Sequence, residues 1–393
     1  MAIVLTGFGV QSPLGCGFPE SMETLRNGRP CVEDIQNYDT EGYEIRAAGE
    51  VRCGGEVVKT PREIDRKIFF LDRALRELSL NTGFSQRYGP NEVMLNIGAG
   101  VDYFDAAAFS DQAAFHHKTA RQIREVARKW HLEAGTHIFA SACTASAHAI
   151  GFSCRLLRRG LATVVVSGGI ESMISHVNYL GFYLLGALSR SDDPAPYKCK
   201  PCDLRSTGTI LGEGAVVMLL ERSEKVSDPA SILAEIVGYG CTMDAYAVTD
   251  PDPSGVPAAE AVRQALDDAG IGPEQIDCVH LHGTGTSKCA PAEYNTLRLV
   301  FGEKRASEIP VYSMKGQVGH LIAACTAIEM LGVVYSLEHQ VVLPTVNFSE
   351  PDPRAPLNVV KDRPLSMPIR YVLKLNSAFG GHNTALIIKK WEK

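Results

Sequence analysis

Thr136-His-Ile-Phe-Ala-Ser-Ala-Cys143-Thr-Ala-Ser-Ala-His-Ala-Ile-Gly151 is the stretch on which the fold turns. Its β-branched and aromatic start reads as a strand, its small residues as a tight turn, and the remainder as a helix. A strand feeding a helix through a short turn is a unit of α/β architecture. Cys143 falls in that turn, beside a helix N-terminus, where unpaired N–H groups and the positive end of the helix dipole stabilise a thiolate. A small buried hydrophobe would suit the same place, as free cysteines often do. This segment taken singly leaves both readings open.

Working outward, short apolar runs alternate with longer helix-like segments along the whole chain. The runs are Ile3–Leu5, Glu92–Ile97, Thr163–Val166, Ala215–Leu220, Ala234–Val237, Cys278–His280, Val311–Ser313 and Arg370–Leu375. Gly and Pro clusters separate them, and no low-complexity tract marks a linker. The expectation is an α/β protein. A faint repeat supports two halves: Ile3-Val-Leu-Thr-Gly-Phe-Gly-Val is echoed by Ala234-Glu-Ile-Val-Gly-Tyr-Gly-Cys, and each opens a region containing a small-residue helix. The polar, turn-prone stretch Arg222-Ser-Glu-Lys-Val-Ser-Asp-Pro places the join so that the halves are 1–225 and 226–393.

Bulk properties exclude several classes. The 393 residues exceed one small core, and 45% hydrophobic with 21% charged residues is ordinary for a globular chain. No apolar run approaches the roughly 18 to 20 residues of a membrane span. A net charge of -6 argues against a nucleic-acid binder. The N-terminus has no basic region ahead of its apolar residues, so it reads as a first strand rather than a leader. Eleven cysteines without regular spacing fit reduced thiols in a cytoplasmic protein. Cys199 and Cys202 form a lone CxxC that no second pair or nearby histidine completes, so it reads as structural and not as a zinc site. Gly7-Phe-Gly9 lacks the third glycine of a dinucleotide fingerprint.

Three further segments carry chemistry. In Val279-His-Leu-His282-Gly-Thr-Gly-Thr286 an apolar strand ends in a loop, with His282 at a strand end and two threonine hydroxyls placed for a polar ligand arm. A capped turn with a satisfied histidine would look the same. In Tyr312-Ser-Met-Lys315-Gly-Gln-Val-Gly-His320-Leu-Ile-Ala-Ala-Cys-Thr-Ala-Ile-Glu329 a lysine and a histidine precede a small-residue helix, suggesting a second buried imidazole supported by Lys315 and Glu329. In Leu375-Asn-Ser-Ala-Phe379-Gly-Gly-His-Asn383 a strand meets a Gly-Gly turn whose N–H groups can receive an oxyanion or can simply reverse the chain.

Together and in this order, the four segments resemble the ketosynthases, specifically the β-ketoacyl-acyl carrier protein synthase II type of condensing enzyme. The likeness runs through Thr6-Gly-Phe-Gly-Val-Gln-Ser-Pro-Leu-Gly15, Ser167-Gly-Gly-Ile-Glu-Ser172, Gly208-Thr-Ile-Leu-Gly-Glu-Gly-Ala215 and Leu343-Pro-Thr-Val-Asn347. It implies a five-layered α-β-α-β-α thiolase fold of two duplicated halves, working as a homodimer or beside a related ketosynthase-like chain. It implies Cys143 as the acylated nucleophile, His282 and His320 as the pair that stabilises the enolate of a decarboxylating malonyl unit, and Lys315 and Glu329 as their support. Thr284 and Thr286 match positions that hold the phosphopantetheine arm of acyl carrier protein. Phe379 matches a gate beside the nucleophile, with Gly380 after it at the substrate and the N–H groups of Cys143 and Phe379 as oxyanion donors. Arg66 and Lys67 in Asp65-Arg-Lys-Ile-Phe69 match a basic pair that docks an acidic carrier, although a solvated helix face reads equally well. No metal or organic cofactor is implied.

The chain departs from the family pattern in four places. Ala290 stands where an aspartate is usual, although Glu293 is retained; Ala323-Ala-Cys-Thr326 replaces Gly-Ala-Ala-Gly; the last loop is altered; and the stretch from Gly100 to Cys143 is short. These put the acyl substrate in question and keep specialised polyketide or polyene synthesis beside fatty-acid synthesis. A non-catalytic chain-length partner would lack the cysteine. A degradative thiolase would carry a second cysteine where Phe379-Gly-Gly-His stands.

Overall fold

The computed structural model describes residues 2–61, 64–100 and 118–392, and in it the strand–turn–helix unit around Cys143 occurs twice. The first half contributes β1 (Ile3–Ser12), β2 (Val93–Ala99), β3 (Gly135–Phe139), β4 (Val164–Ser172) and β5 (Glu213–Arg222). The second contributes β6 (Ala234–Met243), β7 (Cys278–His280), β8 (Pro310–Tyr312), β9 (Asn358–Val359), β10 (Tyr371–Ser377) and β11 (His382–Lys389). Side by side, the first five strands lie in the order 3-2-4-5-1, and the second set in the order 8-7-10-11-6 with β9 beyond β8. By rank along the chain, the two orders are identical. The pairing directions match as well: two parallel ladders are followed by two antiparallel ones in each half. The halves join where Val4 and Leu5 of β1 pair with Glu235 and Ala234 of β6.

Layering follows from which face of each strand is apolar. In β5, Ala215, Val217 and Leu219 face α1 (Arg66–Thr82), while Val216, Met218 and Leu220 face the centre, as the two-residue period of a strand requires. In β10, Leu373 and Leu375 lie on the side covered by α3 (Val256–Ala269), whereas Val372 faces the centre. Between the sheets lie α2 (Ala145–Arg158) and α5 (Cys325–His339), packed on one another. Every residue of α5 from Cys325 to Leu337 is buried, because both of its sides meet protein. The five layers are therefore α1, sheet, α2 with α5, sheet, α3.

One expectation is corrected here. Cys16 and Cys53 are joined as a disulfide that closes a 37-residue separation, so the thiols are not uniformly reduced; Cys199 and Cys202 remain free and buried. Of the short stretch between Gly100 and Cys143, residues 101–117 lie outside the described residues. Among the described residues no helix is long and apolar enough to cross a membrane.

Candidate active site

Each central helix starts from the same elbow. A 3-10 turn, Ala142–Thr144, leads into α2, and a second, Ile322–Ala324, leads into α5. Ala142 has φ +47° and Ile322 φ +42°, left-handed values that residues with side chains adopt at a cost of about 1–3 kcal/mol. Glycines let the elbows sit tight on the sheet. A Cβ on Gly98 would lie 2.4 Å from the Ser146 nitrogen, and one on Gly169 would lie 2.7 Å from the Ala323 carbonyl oxygen.

The elbow of the first half places Cys143 just before α2, buried to 4% exposure. His320 precedes the second elbow, and its Nε2 lies 3.0 Å from Cys143 Sγ. His282 follows the end of β7 and crosses His320 edge to face at 5.4 Å between ring centres. Thus three groups distant in sequence converge, with one donor atom from each inside a 4.8 Å span. Burial pushes the thiol up, with the Cys325 thiol also raising it and the Lys315 ammonium opposing. The Phe379 N–H reaches the same sulfur and opposes the rise. Burial and then Lys315 hold both imidazoles well below their ordinary value, so both are neutral at physiological pH.

Beneath the rings lies a buried ionic network. Glu329 accepts from Lys315 through Oε1, and from Lys374 (2.9 Å) and Asn376 (3.1 Å) through Oε2. Burial would protonate Glu329, but the two ammonium groups outweigh it and hold the carboxyl below its usual range. His282 Nδ1 meets the Lys315 ammonium at 3.4 Å and the Asn376 amide nitrogen at 3.3 Å. Both of those are donors, so Nδ1 accepts and the proton of His282 sits on Nε2. Thr326 fixes the amide by donating to Asn376 Oδ1 at 2.9 Å. Cys325 is a second thiol in the site, donating to the Cys143 carbonyl at 3.0 Å. Two lysines facing the cluster disfavour a divalent cation among these donors, which read instead as reacting groups.

The cavity above has a volume of about 300 Å³ and is lined by Cys143, His282 and His320, by Phe182, Ile322 and Phe379, and by Thr284 and Thr286. Phe379 stacks on Phe182 at 6.5 Å, so an aromatic pair flanks the nucleophile. The two threonine hydroxyls bond each other at 2.8 Å. Glu293 accepts the N–H groups of His282 and Gly283 and so shapes that loop, while Ala290 is buried on α4 (Cys289–Phe301).

One site expectation fails. Arg66 and Lys67 are buried at 5% and 1% exposure: Arg66 forks onto Glu213 and bonds the Val58 carbonyl, and Lys67 pairs with Asp65 at 3.2 Å. A carrier protein docking on the surface does not reach them. Gly380 gives its N–H to the Val248 carbonyl at 2.7 Å and takes φ +83°, which forms the turn after Phe379. The sequence pattern assigns no site role to Lys374, Asn376, Cys325 or Thr326, which the structure places in this network. The available signal was a lysine inside the otherwise apolar β10, two residues before an asparagine.

Family models for the β-ketoacyl synthase N-terminal and C-terminal domains match residues 1–226 and 233–349. The chain belongs to the β-ketoacyl synthase family. It is 30% identical to 3-oxoacyl-[acyl-carrier-protein] synthase 2 of Staphylococcus aureus, over 99% of this chain and 98% of that one. Among solved structures, a type II PKS acyl-carrier protein in complex with its ketosynthase bound to the hexaketide aligns at TM-score 0.89 and 25% identity, covering 100% of this chain and 99% of that one. The ishigamide ketosynthase/chain length factor aligns at TM-score 0.86 and 29% identity, covering 100% and 99%. The fold is the thiolase fold, and this β-ketoacyl synthase is a condensing acyltransferase that forms carbon–carbon bonds.

Proposed function

We propose that the nucleophile is Cys143, acylated from an acyl carrier protein, and that His282 and His320 stabilise the enolate formed when a malonyl unit loses carbon dioxide. The observation that carries this is the 3.0 Å approach of His320 Nε2 to the sulfur with His282 beside it. In the first stage, Cys143 attacks the incoming thioester, the new C–S bond forms as the carrier's thiol leaves, and the N–H groups of Cys143 and Phe379 hold the oxyanion; losing one such donor costs about 3 kcal/mol. In the second stage, the malonyl C–C bond breaks, its electrons move onto the thioester oxygen, and two neutral imidazoles donate to that oxygen. The carbanion attacks the acyl-Cys143 carbonyl and the Cys143 thiolate leaves. Lys315 and Glu329 hold the rings, Thr284 and Thr286 the pantetheine arm, and Phe379 gates the nucleophile.

The partner is an acyl carrier protein, and the chain works as a homodimer or beside a related ketosynthase-like chain; the carrier complex and the chain-length-factor pair among its structural relatives support both readings. A purely non-catalytic partner is disfavoured, since thiol and imidazoles are all present and assembled. The reading uses no metal or organic cofactor and places the protein in the cytoplasm. It divides the chain at 225/226, with the nucleophile in one half and both imidazoles in the other, a split that the repeated strand order supports. Incubation with acyl carrier proteins followed by peptide mass spectrometry should find the acyl group on Cys143. Acylation at another cysteine, or none, would overturn the assignment, and the retained chain separates fatty-acid from polyketide or polyene substrates.

A further inference from the structure

Lys374 has no part in the mechanism above, yet its ammonium is buried at 1% exposure directly under the reacting rings. It lies on β10 opposite His280 of β7 in the parallel register. Its Nζ meets three acceptors: Glu329 Oε2 at 2.9 Å, the Leu281 carbonyl at 3.2 Å and the Leu375 carbonyl at 2.5 Å. A neutral amine has two N–H donors and a lone pair, so three acceptors call for three protons. Lys315 is likewise surrounded, by Glu329 Oε1, the His282 carbonyl and His282 Nδ1. Burial lowers the Lys374 ammonium from its ordinary value and Glu329 opposes this, and with three acceptors around it the geometry calls for the charged form, so that two ammonium groups share one carboxylate. The remaining charged or titratable neighbours do not restore the balance locally. Glu293 is engaged by the His282 and Gly283 N–H groups and the Cys289 thiol, and Glu171 lies toward Cys143 with its carboxyl raised by burial to about 7. His280 donates through Nδ1 to the Leu281 carbonyl and is neutral, and the Cys325 thiol is raised by burial to about 12.

We propose that Lys374 is a positioning residue for the condensation, a second ammonium on Glu329 whose positive charge keeps His282 and His320 in the unprotonated, hydrogen-bond-donating form while negative charge develops above them. The inference rests on the enolate-stabilising roles proposed for those two rings. A protonated ring would deliver its proton to the nascent carbanion and end the reaction in simple decarboxylation; a neutral one holds the enolate until it attacks. The direction of the electrostatics agrees: behind burial and Lys315, and behind His320 for one ring and the opposing Glu329 for the other, the charge of Lys374 lowers both rings. Lysine is also costly to bury, and a purely structural tie between the Leu281 and Leu375 carbonyls would not need its charge.

The test is the pH–rate profile of malonyl-carrier decarboxylation in the wild type and in Lys374→Met, with Lys374→Gln as a second variant. Losing the positive charge lets the imidazole pKa values rise, so the acid limb should move to higher pH by about one unit or more. KM for the malonyl carrier should stay within about twofold, because Lys374 does not line the cavity. A folded variant with an unmoved acid limb, whatever its thermal stability, overturns the proposal. Should neither variant fold, 15N-lysine spectra of the wild type decide: a Lys374 ammonium that stays charged throughout the active pH range supports it, and a neutral amine there overturns it. His282→Ala and His320→Ala retaining full decarboxylation would instead remove the underlying assignment, which distinguishes the two failures.

Discussion

The two halves of the molecule share a strand order, a pattern of parallel and antiparallel pairing, and a left-handed elbow at the head of a central helix, yet they do different chemistry. In the first half the middle residue of the elbow is Cys143; in the second it is Ala323. The second half supplies its groups from around the elbow instead: His320 just before it, His282 at the end of β7, Lys315, Glu329, Lys374 and Asn376. Both sets reach the interior because α2 and α5 are packed against each other between the sheets. Duplication builds the cleft, and divergence within it separates the nucleophile from the groups that manage charge.

The sharpest break of that comparison is at the elbows. Cys143→Ala should lower condensation by at least about 10³-fold. Adding Ala323→Cys should not restore it, because His320 and the Phe379 N–H face position 143. Recovery of activity in the double variant would show the elbows to be interchangeable. The next largest effect separates the stages: His282→Ala or His320→Ala should slow malonyl decarboxylation by about 10²-fold or more while slowing acylation of Cys143 far less. Equal losses in both steps, followed by stopped-flow acylation and by carbon dioxide release, would contradict a division of labour between the halves. A third contrast is structural. The first half has a disulfide within it, and Cys16→Ser should cost about 4 kcal/mol of stability for a loop of this length. Alkylation of Cys143 by iodoacetamide should be unchanged, since that bridge ties the turn after β1 to residue 53 and not to the site; a changed rate would tie the bridge to catalysis.

How far the sequence foretold this depends on what each residue's placement required. The eight apolar runs all fall on strands because a core strand announces itself by composition, and the nucleophile's strand, turn and helix are legible for the same local reason. β11 was passed over because Asn383-Thr-Ala-Leu-Ile-Ile follows the Gly-Gly turn so closely that it reads as part of it. Charged residues misled most. Arg66 and Lys67 looked like a docking face because a basic pair at a helix start is normally solvated, and their burial depends on Glu213 of another strand and on Asp65. Lys374 hid for the converse reason: it lies in a strand read as apolar, and its partner Glu329 is on a different element. Convergence of the thiol and imidazoles came from the family likeness, since no local pattern brings residues 143, 282 and 320 together.

The smallest effect tests whether the elbow conformation is strained in both halves. Ala142 is half-buried and presents only a methyl group, so Ala142→Gly removes the left-handed penalty at little loss of packing. Glycine's greater freedom in the unfolded chain offsets part of that relief, leaving an expected gain of about 0.5–1 kcal/mol. Ile322 has a β-branched side chain at φ +42°, where the strain is greater, but it is buried at 6% exposure and its loss opens a cavity. Ile322→Gly should therefore destabilise overall while being more stable than Ile322→Ala by about 1 kcal/mol, since the alanine keeps the Cβ penalty. Denaturant midpoints for the three variants measure this directly. If Ile322→Ala proved the more stable of that pair, the second elbow would be relaxed where the first is strained, and the likeness of the two halves would end at their backbones.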